Sequence, residues 1–342
     1  MIRTAWIGPI LGGLLLGACG GEPQVPVQKF EGFAQGTTYH VSYWSEQAVD
    51  GKQVQAEVGK TLADLDKMLS NYRPDSEIEQ FNVSAATVGQ TVDAQIVALV
   101  RVAQTVSQLS SGCYDLTVKP IFELWGFQND ELHVPDQAAI DTALANVGMS
   151  KLEIVDDVHL LKKLPSLRVD LSSIAQGYSV GKVAEAMEHL GIENYLVEIG
   201  GELKSNGHKP DGKAWVIAVE KPLPGERMMH KTVTLPKDAP MAVMTSGTYR
   251  HYFDLKGQRY SHILDARNGR PVMHDLVAVT VFHENPTVAD AWSTALLCLG
   301  QEEGMKLADN EKLQALFIQQ RGSEFVESKT RALTTSTAVT IN

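Results

Sequence analysis

The chain reads Tyr260-Ser261-His262-Ile263-Leu264-Asp265-Ala266-Arg267-Asn268-Gly269-Arg270-Pro271. After a short spacer come Val277-Ala278-Val279-Thr280-Val281-Phe282 and then Asn285-Pro286-Thr287-Val288-Ala289-Asp290-Ala291-Trp292-Ser293-Thr294. The middle run is short, apolar, rich in β-branched residues and bounded by turn residues, which predicts a strand. Asn285 suits an N-cap and Pro286 the first helical position. A helix should therefore follow and stop near Gly300. Asp290 and Thr294, four residues apart, fall on one face of it. A carboxylate and a hydroxyl are hard oxygen ligands, suited to Mg²⁺ that also binds substrate phosphate, and a nearby helix N-terminus favours the same anion. Spacing alone favours a plainer reading, with Asp290 balancing the helix dipole and Thr294 packing. The His262 turn upstream shifts the balance toward a site.

The chain has 342 residues, 44% hydrophobic and 21% charged, enough for one large domain or two intimate lobes. Its formal net charge is −11, with a pI near 5.4. No basic block is present, so nucleic acid is not an expected partner. Gly and Pro are spread along the chain, and there is neither a low-complexity segment nor an internal repeat. Residues 1–18 read as a lipoprotein signal peptide. Arg3 is followed by an apolar stretch from Ala5 to Leu16, too short for a membrane span, and by Leu16-Gly17-Ala18-Cys19. The last four resemble a bacterial lipobox, with Cys19 lipidated after cleavage; the alternative is an ordinary signal peptide with a chance cysteine. Residues 19–29 are then a lipidated Cys and tether, and 30–342 the folded domain. Such a protein faces an oxidising space. Cys113 and Cys298 remain and could pair, although Cys298 also reads as core of an apolar helix. No Cys/His cluster has zinc spacing.

Phe33 to Trp44 predicts a turn into a first strand. Val54 to Leu69 is an amphipathic helix, stopped by Pro74, and Asp75 or Ser76 can cap a short second helix. Tyr72 in that junction either stacks on an aromatic ligand or plugs the joint, and the residues alone favour the plug. Ala94–Ser110, Pro135–Val147 and Val183–Leu190 read as helices. Leu152–Leu161, Leu167–Leu171, Tyr195–Ile199, Trp215–Val219, Leu316–Ile318 and Phe325–Val326 read as strands. Asp115 lies between apolar neighbours and should have a hydrogen-bonding job. Asp170-Leu171-Ser172-Ser173-Ile174-Ala175-Gln176-Gly177 offers backbone groups to a ligand at a helix start, or is an ordinary turn. Gly200-Gly201-Glu202 lets backbone approach closely. Ser246 beside His262 would be a hydrolase pair, but Thr245-Ser246-Gly247 is not a nucleophile elbow.

These stretches, in order from about Gln35 to Thr294, resemble the ApbE-like family of FAD:protein FMN transferases. The pieces are Gly36-Thr37-Thr38-Tyr39; Ser70-Asn71-Tyr72 through Phe81-Asn82; Asp115 through Pro120 with Trp125-Gly126-Phe127; Asp170 through Ala175 with Gly177-Tyr178; Gly200-Gly201-Glu202; Thr245-Ser246-Gly247 with Tyr249; Ser261 through Asp265 with Gly269 and Pro271; and Ala289-Asp290-Ala291 with Thr294. The resemblance implies a compact α+β fold, related to the tunnelling-fold group, with the flavin site between two lobes. It implies that FAD's pyrophosphate is split, FMN passes to a threonine hydroxyl of a target protein, and AMP leaves. The implied targets are flavin-carrying subunits of sodium-pumping NADH:quinone oxidoreductase or Rnf-type complexes. By resemblance Gln35, Tyr72, Cys113, Tyr114, Asp115, Asp170, Gln176 and Ile263 contact FAD. Asp170 is expected at the adenosine or ribose and Tyr72 over the flavin. Mg²⁺ would sit on Asp290 and Thr294, completed by a main-chain carbonyl near Ser173. His262 is the candidate for acid/base or phosphate-positioning work, the plainer alternative being a histidine that caps the turn through Asp265. The chain departs from the family in having Gln176 where Lys is usual, which removes a cation from the FAD contact. It also has Gly181 where Asp is usual, and Asp265-Ala266 in place of Asp-Pro.

Three functions compete: the Mg²⁺-dependent transferase, a Mg²⁺-dependent FAD pyrophosphatase giving FMN and AMP, and a non-enzymatic FAD-binding lipoprotein. Asp290, Thr294 and His262 together favour an enzyme, and the transferase is the leading expectation. Its expected place is the periplasmic face of the bacterial inner membrane, held by the lipid, with the outer membrane left open because Gly20 is not the Asp that often signals inner-membrane retention.

Overall fold

The apolar run at Val277–Phe282 is continuous because both of its faces are covered. In the computed structural model, which describes residues 25–128, 131–223 and 228–342, it is the Leu276–His283 strand. That strand is interior to an eight-stranded antiparallel sheet. In spatial order the sheet holds Gln28–Ala34, Thr37–Trp44, Asn194–Ile199, Glu202–Asn206, Met241–Gly247, Leu276–His283, Gln314–Arg321 and Glu324–Lys329. Alternation deals successive side chains to two different cores. Val279 and Val281 join one, while Ala278 and Phe282 join the other; Ala242 and Met244 are likewise separated from Val243, and Ala315 and Phe317 from Leu316 and Ile318. A bulge between Leu276 and Ala278 puts these two residues in different cores.

The larger core lies under four helices, Gly51–Leu69, Ala94–Leu109, Ala175–His189 and Pro286–Asn310. Val54, Val58, Leu62, Leu65 and Leu69 form the buried stripe of the first, as the periodicity predicts. The smaller core lies under a three-stranded sheet of Val216–Glu220, Met229–Thr234 and Thr340–Ile341. A third cluster, built on Ile121, Trp125, Phe127, Ile140 and Leu264, makes a second lobe from the Lys119–Leu124 and Gln137–Leu144 helices and the Leu264–Pro271 turn.

Several elements differ from the sequence reading. Thr37–Trp44 is the second strand of a hairpin; the first, Gln28–Ala34, begins inside the expected tether. Its two-residue loop, Gln35-Gly36, has φ of 52° and 76°, as a type I′ turn requires. The helix after Asn285 does start as predicted, with the Asn285 side chain accepting from Thr287 and Val288 N–H groups. It does not stop near Gly300: that residue kinks it (φ 79°) and helix continues to Asn310. Leu167–Leu171 is not a strand. Its backbone groups are bonded by side-chain amides instead. Asn82 Nδ2 donates to the Val169 carbonyl (2.8 Å) and Asn82 Oδ1 accepts from the Val169 N–H (2.7 Å), while Asn71 Oδ1 accepts from the Leu171 N–H (2.6 Å). Two buried asparagines thus replace a neighbouring strand. The signal peptide and Cys19 lie outside the described residues.

Cys113 and Cys298 are joined in a disulfide with Cα atoms 6.0 Å apart, within the ordinary range. This decides the pairing that the sequence leaves open, and Cys298 is also buried, as its apolar helix predicts.

Asn82→Ala should destabilise the chain by about 1–3 kcal/mol, since it strips the buried Val169 N–H of its partner, while the Val169 carbonyl keeps Asn71 Nδ2 at 2.9 Å. Urea unfolding followed by circular dichroism would check this, and a loss below about 0.5 kcal/mol would contradict the account of this segment.

Candidate active site

The Ala175–His189 and Pro286–Asn310 helices meet where Gly177 faces Asp290. A Cβ on Gly177 would lie 2.5 Å from the Pro286 carbonyl oxygen and 2.6 Å from the Asp290 Cβ, so only glycine permits this approach. Here Asp290 Oδ2 accepts a hydrogen bond from the Gly177 N–H at 2.7 Å. Asp290 therefore caps the first turn of the neighbouring helix rather than balancing its own dipole. It is 6% exposed, and burial holds its carboxyl above the usual carboxylate range. One turn along, Thr294 Oγ1 is 2.9 Å from Ser246 Oγ, which is also 2.7 Å from Ser293 Oγ. Ser246 is thus bonded to hydroxyls beside Asp290 rather than to His262, and the hydrolase pair is not formed.

A second carboxylate faces this group. Glu202 follows the Gly200-Gly201 hairpin turn and is buried, its Oε2 accepting from the Thr245 N–H at 2.9 Å. Burial, reinforced by the charge of Asp290, pushes its carboxyl well above the ordinary value. The Gly200-Gly201-Glu202 stretch points in sequence only to close backbone approach. Glu202's partnership with Asp290 is tertiary, and no local signal reveals it.

These groups line a cavity of about 320 Å³, whose wall includes Tyr72, Cys113, Tyr114, Asp115, Asp170, Ser173, Gln176, Glu202, Ser246, Arg250, His262, Ile263, Asp290 and Thr294. Gln35 lies apart from these, in an adjoining cleft of about 650 Å³ that shares Tyr72, Ser172, Gln176 and Gly200 with the first. Every candidate site residue within the described chain except Gln35 is thus brought to one cavity. Their roles differ in detail. Asp115 has the hydrogen-bonding job that its setting predicts: Oδ1 accepts from the Thr117 N–H and Oγ1, and Oδ2 from the Met149 N–H. Asp170 is buried and its Oδ1 accepts from the Ser172 N–H at 2.8 Å. Gln176 Nε2 donates to the Ile199 carbonyl at 2.7 Å. Ser173 Oγ donates to the Tyr114 hydroxyl at 3.2 Å. Tyr72 is 65% exposed, so it is not a plug; it stands where the two cavities join.

His262 Nδ1 lies 2.8 Å from the His251 carbonyl oxygen, and its backbone N–H donates to the same atom. A carbonyl only accepts, so Nδ1 carries the proton and Nε2 the lone pair. The ring stacks on His251, and burial lowers its pKa to about 4. Its turn is capped by other groups: Asp265 Oδ1 accepts from the Arg267 N–H, and the Asp265 carboxylate pairs with the Arg267 guanidinium. The capping role for His262 is therefore not what the structure shows.

The donor set suits a hard divalent cation. Two buried carboxylates, Asp290 and Glu202, accept from backbone N–H groups, and a hydroxyl from Thr294 stands beside them. A separate cluster, Cys113, Asp265 and Cys298, has metal-like spacing, but its cysteines are in the disulfide and Asp265 is paired with Arg267.

The ApbE family model matches residues 35–317. An FAD:protein FMN transferase of Vibrio cholerae is 36% identical over 94% of this chain and 96% of its own length, and one of Salmonella typhimurium is 35% identical over 87% and 86%. Among solved structures, the apo form of Pseudomonas stutzeri flavinyl transferase ApbE superposes with a TM-score of 0.83 at 40% identity, covering 92% of this chain and 98% of that one. The Vibrio cholerae flavin transferase ApbE gives 0.82 at 35%, covering 90% and 99%.

The His262 ring should keep its Nδ1–H tautomer from about pH 8 down to about pH 5 and protonate only below. Nuclear magnetic resonance of the ring nitrogens would show this, and a titration midpoint near 6.5 would contradict the half-buried, carbonyl-bonded geometry.

Proposed function

The chain belongs to the ApbE family and is an enzyme of the FAD:protein FMN transferase type, and from that premise we propose how its own residues carry out a Mg²⁺-dependent transfer. The observation that carries the proposal is the burial of Asp290 and Glu202 together beside Thr294. Asp290, Thr294 and the main-chain carbonyl of Ser173 would hold Mg²⁺, with Glu202 reinforcing its charge. The ion would supply charge neutralisation to FAD's pyrophosphate.

The acceptor threonine Oγ attacks the phosphorus of the FMN half. The bond from that phosphorus to the bridging oxygen breaks, and AMP leaves with the bridging oxygen and its electron pair. The threonine proton goes to His262 Nε2. Burial makes this ring a weak base, but an anionic pyrophosphate would favour the imidazolium and raise its basicity as substrate binds. Asp170 and Tyr114 frame the nucleotide and Tyr72 covers the flavin at the cavity mouth. Asp115 acts by holding the Cys113–Thr117 segment in shape rather than by its own contact, since both its oxygens have partners in the chain.

The same reading assigns the acceptor to the flavin-carrying subunits of sodium-pumping NADH:quinone oxidoreductase or Rnf-type complexes, on the strength of the resemblance. A periplasmic, lipid-anchored place, at the inner membrane or with Gly20 at the outer, is supported by the Cys19 lipobox and by the disulfide, which persists in an oxidising space. Among the described residues no helix is long and apolar enough to cross a membrane.

The test mixes the chain from Gly20 onward with FAD, Mg²⁺ and a purified acceptor domain, and reads AMP release together with the acceptor's intact mass. AMP with an FMN-sized mass gain, both abolished by EDTA, is expected. AMP and free FMN with every acceptor unmodified would instead establish the pyrophosphatase. Asp290→Asn should lower transfer by at least about 100-fold with the fold intact; full Mg²⁺-dependent activity would remove it from the metal site. His262→Ala should lower kcat about 10²–10⁴-fold with FAD affinity little changed, and unchanged turnover would remove the base.

A further inference from the structure

The cavity wall has an unbalanced charge. Asp115, Asp170, Glu202 and Asp290 contribute carboxyl groups to it, whereas Arg250 is the one arginine or lysine among the described residues that line it. A substrate that brings a pyrophosphate into this wall needs a fixed cation as well as a metal. We propose that Arg250 is the protein's direct cationic contact for the FAD pyrophosphate, a binding residue for the anionic linkage rather than for the flavin ring. The inference rests on the reading that this cavity receives FAD.

The placement of Arg250 supports it. Arg250 Nη1 donates to the Gly200 carbonyl at 2.9 Å, and Nη2 lies 3.4 Å from Glu220 Oε2. The guanidinium lies against Gly201, where a Cβ would come within 2.9 Å of Nη2. A residue with a side chain at position 201 would displace it. These contacts hold the plane in place while 37% of the side chain's surface stays accessible. The side chain also interacts with Tyr249, but the five N–H donors of a guanidinium are not exhausted by three contacts, so donors remain for phosphate oxygens. Arg250 lines the same cavity as the Asp290 and Glu202 carboxyls and the His262 ring, the groups between which the proposed scissile linkage would sit. Glu220 does not cancel it: that pair is long, near the surface and screened.

Riboflavin carries the same ring system with neither the pyrophosphate nor the adenosine, so comparison of the two ligands separates contact with the flavin ring from contact with the rest of FAD. Equilibrium binding of FAD and riboflavin is measured by flavin fluorescence with Mg²⁺ and without acceptor, on the wild-type chain, Arg250→Gln and Arg250→Lys. The wild type should prefer FAD. Arg250→Gln should lose at least about tenfold in FAD affinity with riboflavin affinity unchanged, and Arg250→Lys should recover part of the preference. An undiminished FAD preference in Arg250→Gln overturns the inference while the cavity reading stands. An equal loss for both ligands makes Arg250 a support of the Gly200-Gly201 turn and likewise overturns it. A wild-type chain that does not distinguish FAD from riboflavin would instead fail the reading of the cavity itself.

Discussion

A carboxylate buried next to another carboxylate is the constraint on which the site depends. Bringing Asp290 out of water costs several kcal/mol unless a counter-charge answers it, and the Gly177 N–H is only a partial answer. Glu202 raises the cost by presenting a second acidic group to the same space. A fold that needed only stability would have no use for this pair. The helix crossing is shaped to permit it, since Gly177 leaves no room for a side chain between Pro286 and Asp290. Such a pair is electrostatically costly, and on the proposed reading a bound cation would relieve that cost, so that stability given up here would become affinity for the ion.

The sheet sets where this pair stands. Two hairpins, joined by Gln35-Gly36 and by Gly200-Gly201, present their turns to the adjoining cavities, and both use positive φ at the two loop residues. At Gly200 the space is fully used, because a Cβ would lie 2.1 Å from Gln176 Nε2 and 3.0 Å from Thr37 Oγ1. Gln176 and Arg250 hold the carbonyls of Ile199 and Gly200 respectively. A turn fixed by side chains from a helix and from a separate loop is a rigid reference for Glu202, the next residue. On the opposite wall the disulfide does a similar task. Cys298 lies on the same helix face as Asp290 and Thr294, and Cys113 leads into Tyr114 and Asp115. The bond therefore ties the proposed nucleotide wall to the proposed metal helix.

What was legible in the sequence was what depends on neighbours along the chain. Asn285, Pro286 and the four-residue spacing of Asp290 and Thr294 sufficed to place a helix and its functional face. The stripe from Val54 to Leu69 likewise gave a helix. The two-sided burial of Val277–Phe282 showed only as the lack of alternation, which is what a doubly covered strand should show. Leu167–Leu171 reads as a strand because its apolar residues are indeed buried, but burial does not say who bonds the backbone, and Asn71 and Asn82 are nearly a hundred residues away. Gly300 reads as a stop, yet the chain resumes its helix beyond the kink, with His274 packed against the glycine. Glu202 showed only as the end of the Gly200-Gly201-Glu202 stretch and Arg250 not at all, since their significance is the charge of groups that only the fold brings near.

The exposure of Tyr72 bears on why such a site transfers flavin rather than hydrolysing FAD. A protein threonine must reach the scissile phosphorus, so the cavity has to open outward, and with 65% of Tyr72 accessible it does. An opening that admits a polypeptide also admits water. The proposed base would not discriminate, because the lone pair on His262 Nε2 could take a proton from either hydroxyl. In the unliganded chain burial keeps that base weak, at a pKa of about 4. On the proposed reading its strength would rise as anionic substrate enters and water around the ring is displaced. A docked acceptor covers the mouth, excludes bulk water and positions its own hydroxyl, three effects that act together on the same step. On this proposal selectivity for transfer is a property of the complex rather than of the cavity, and a weak base in an open site would limit the loss of FAD to water by the solitary enzyme.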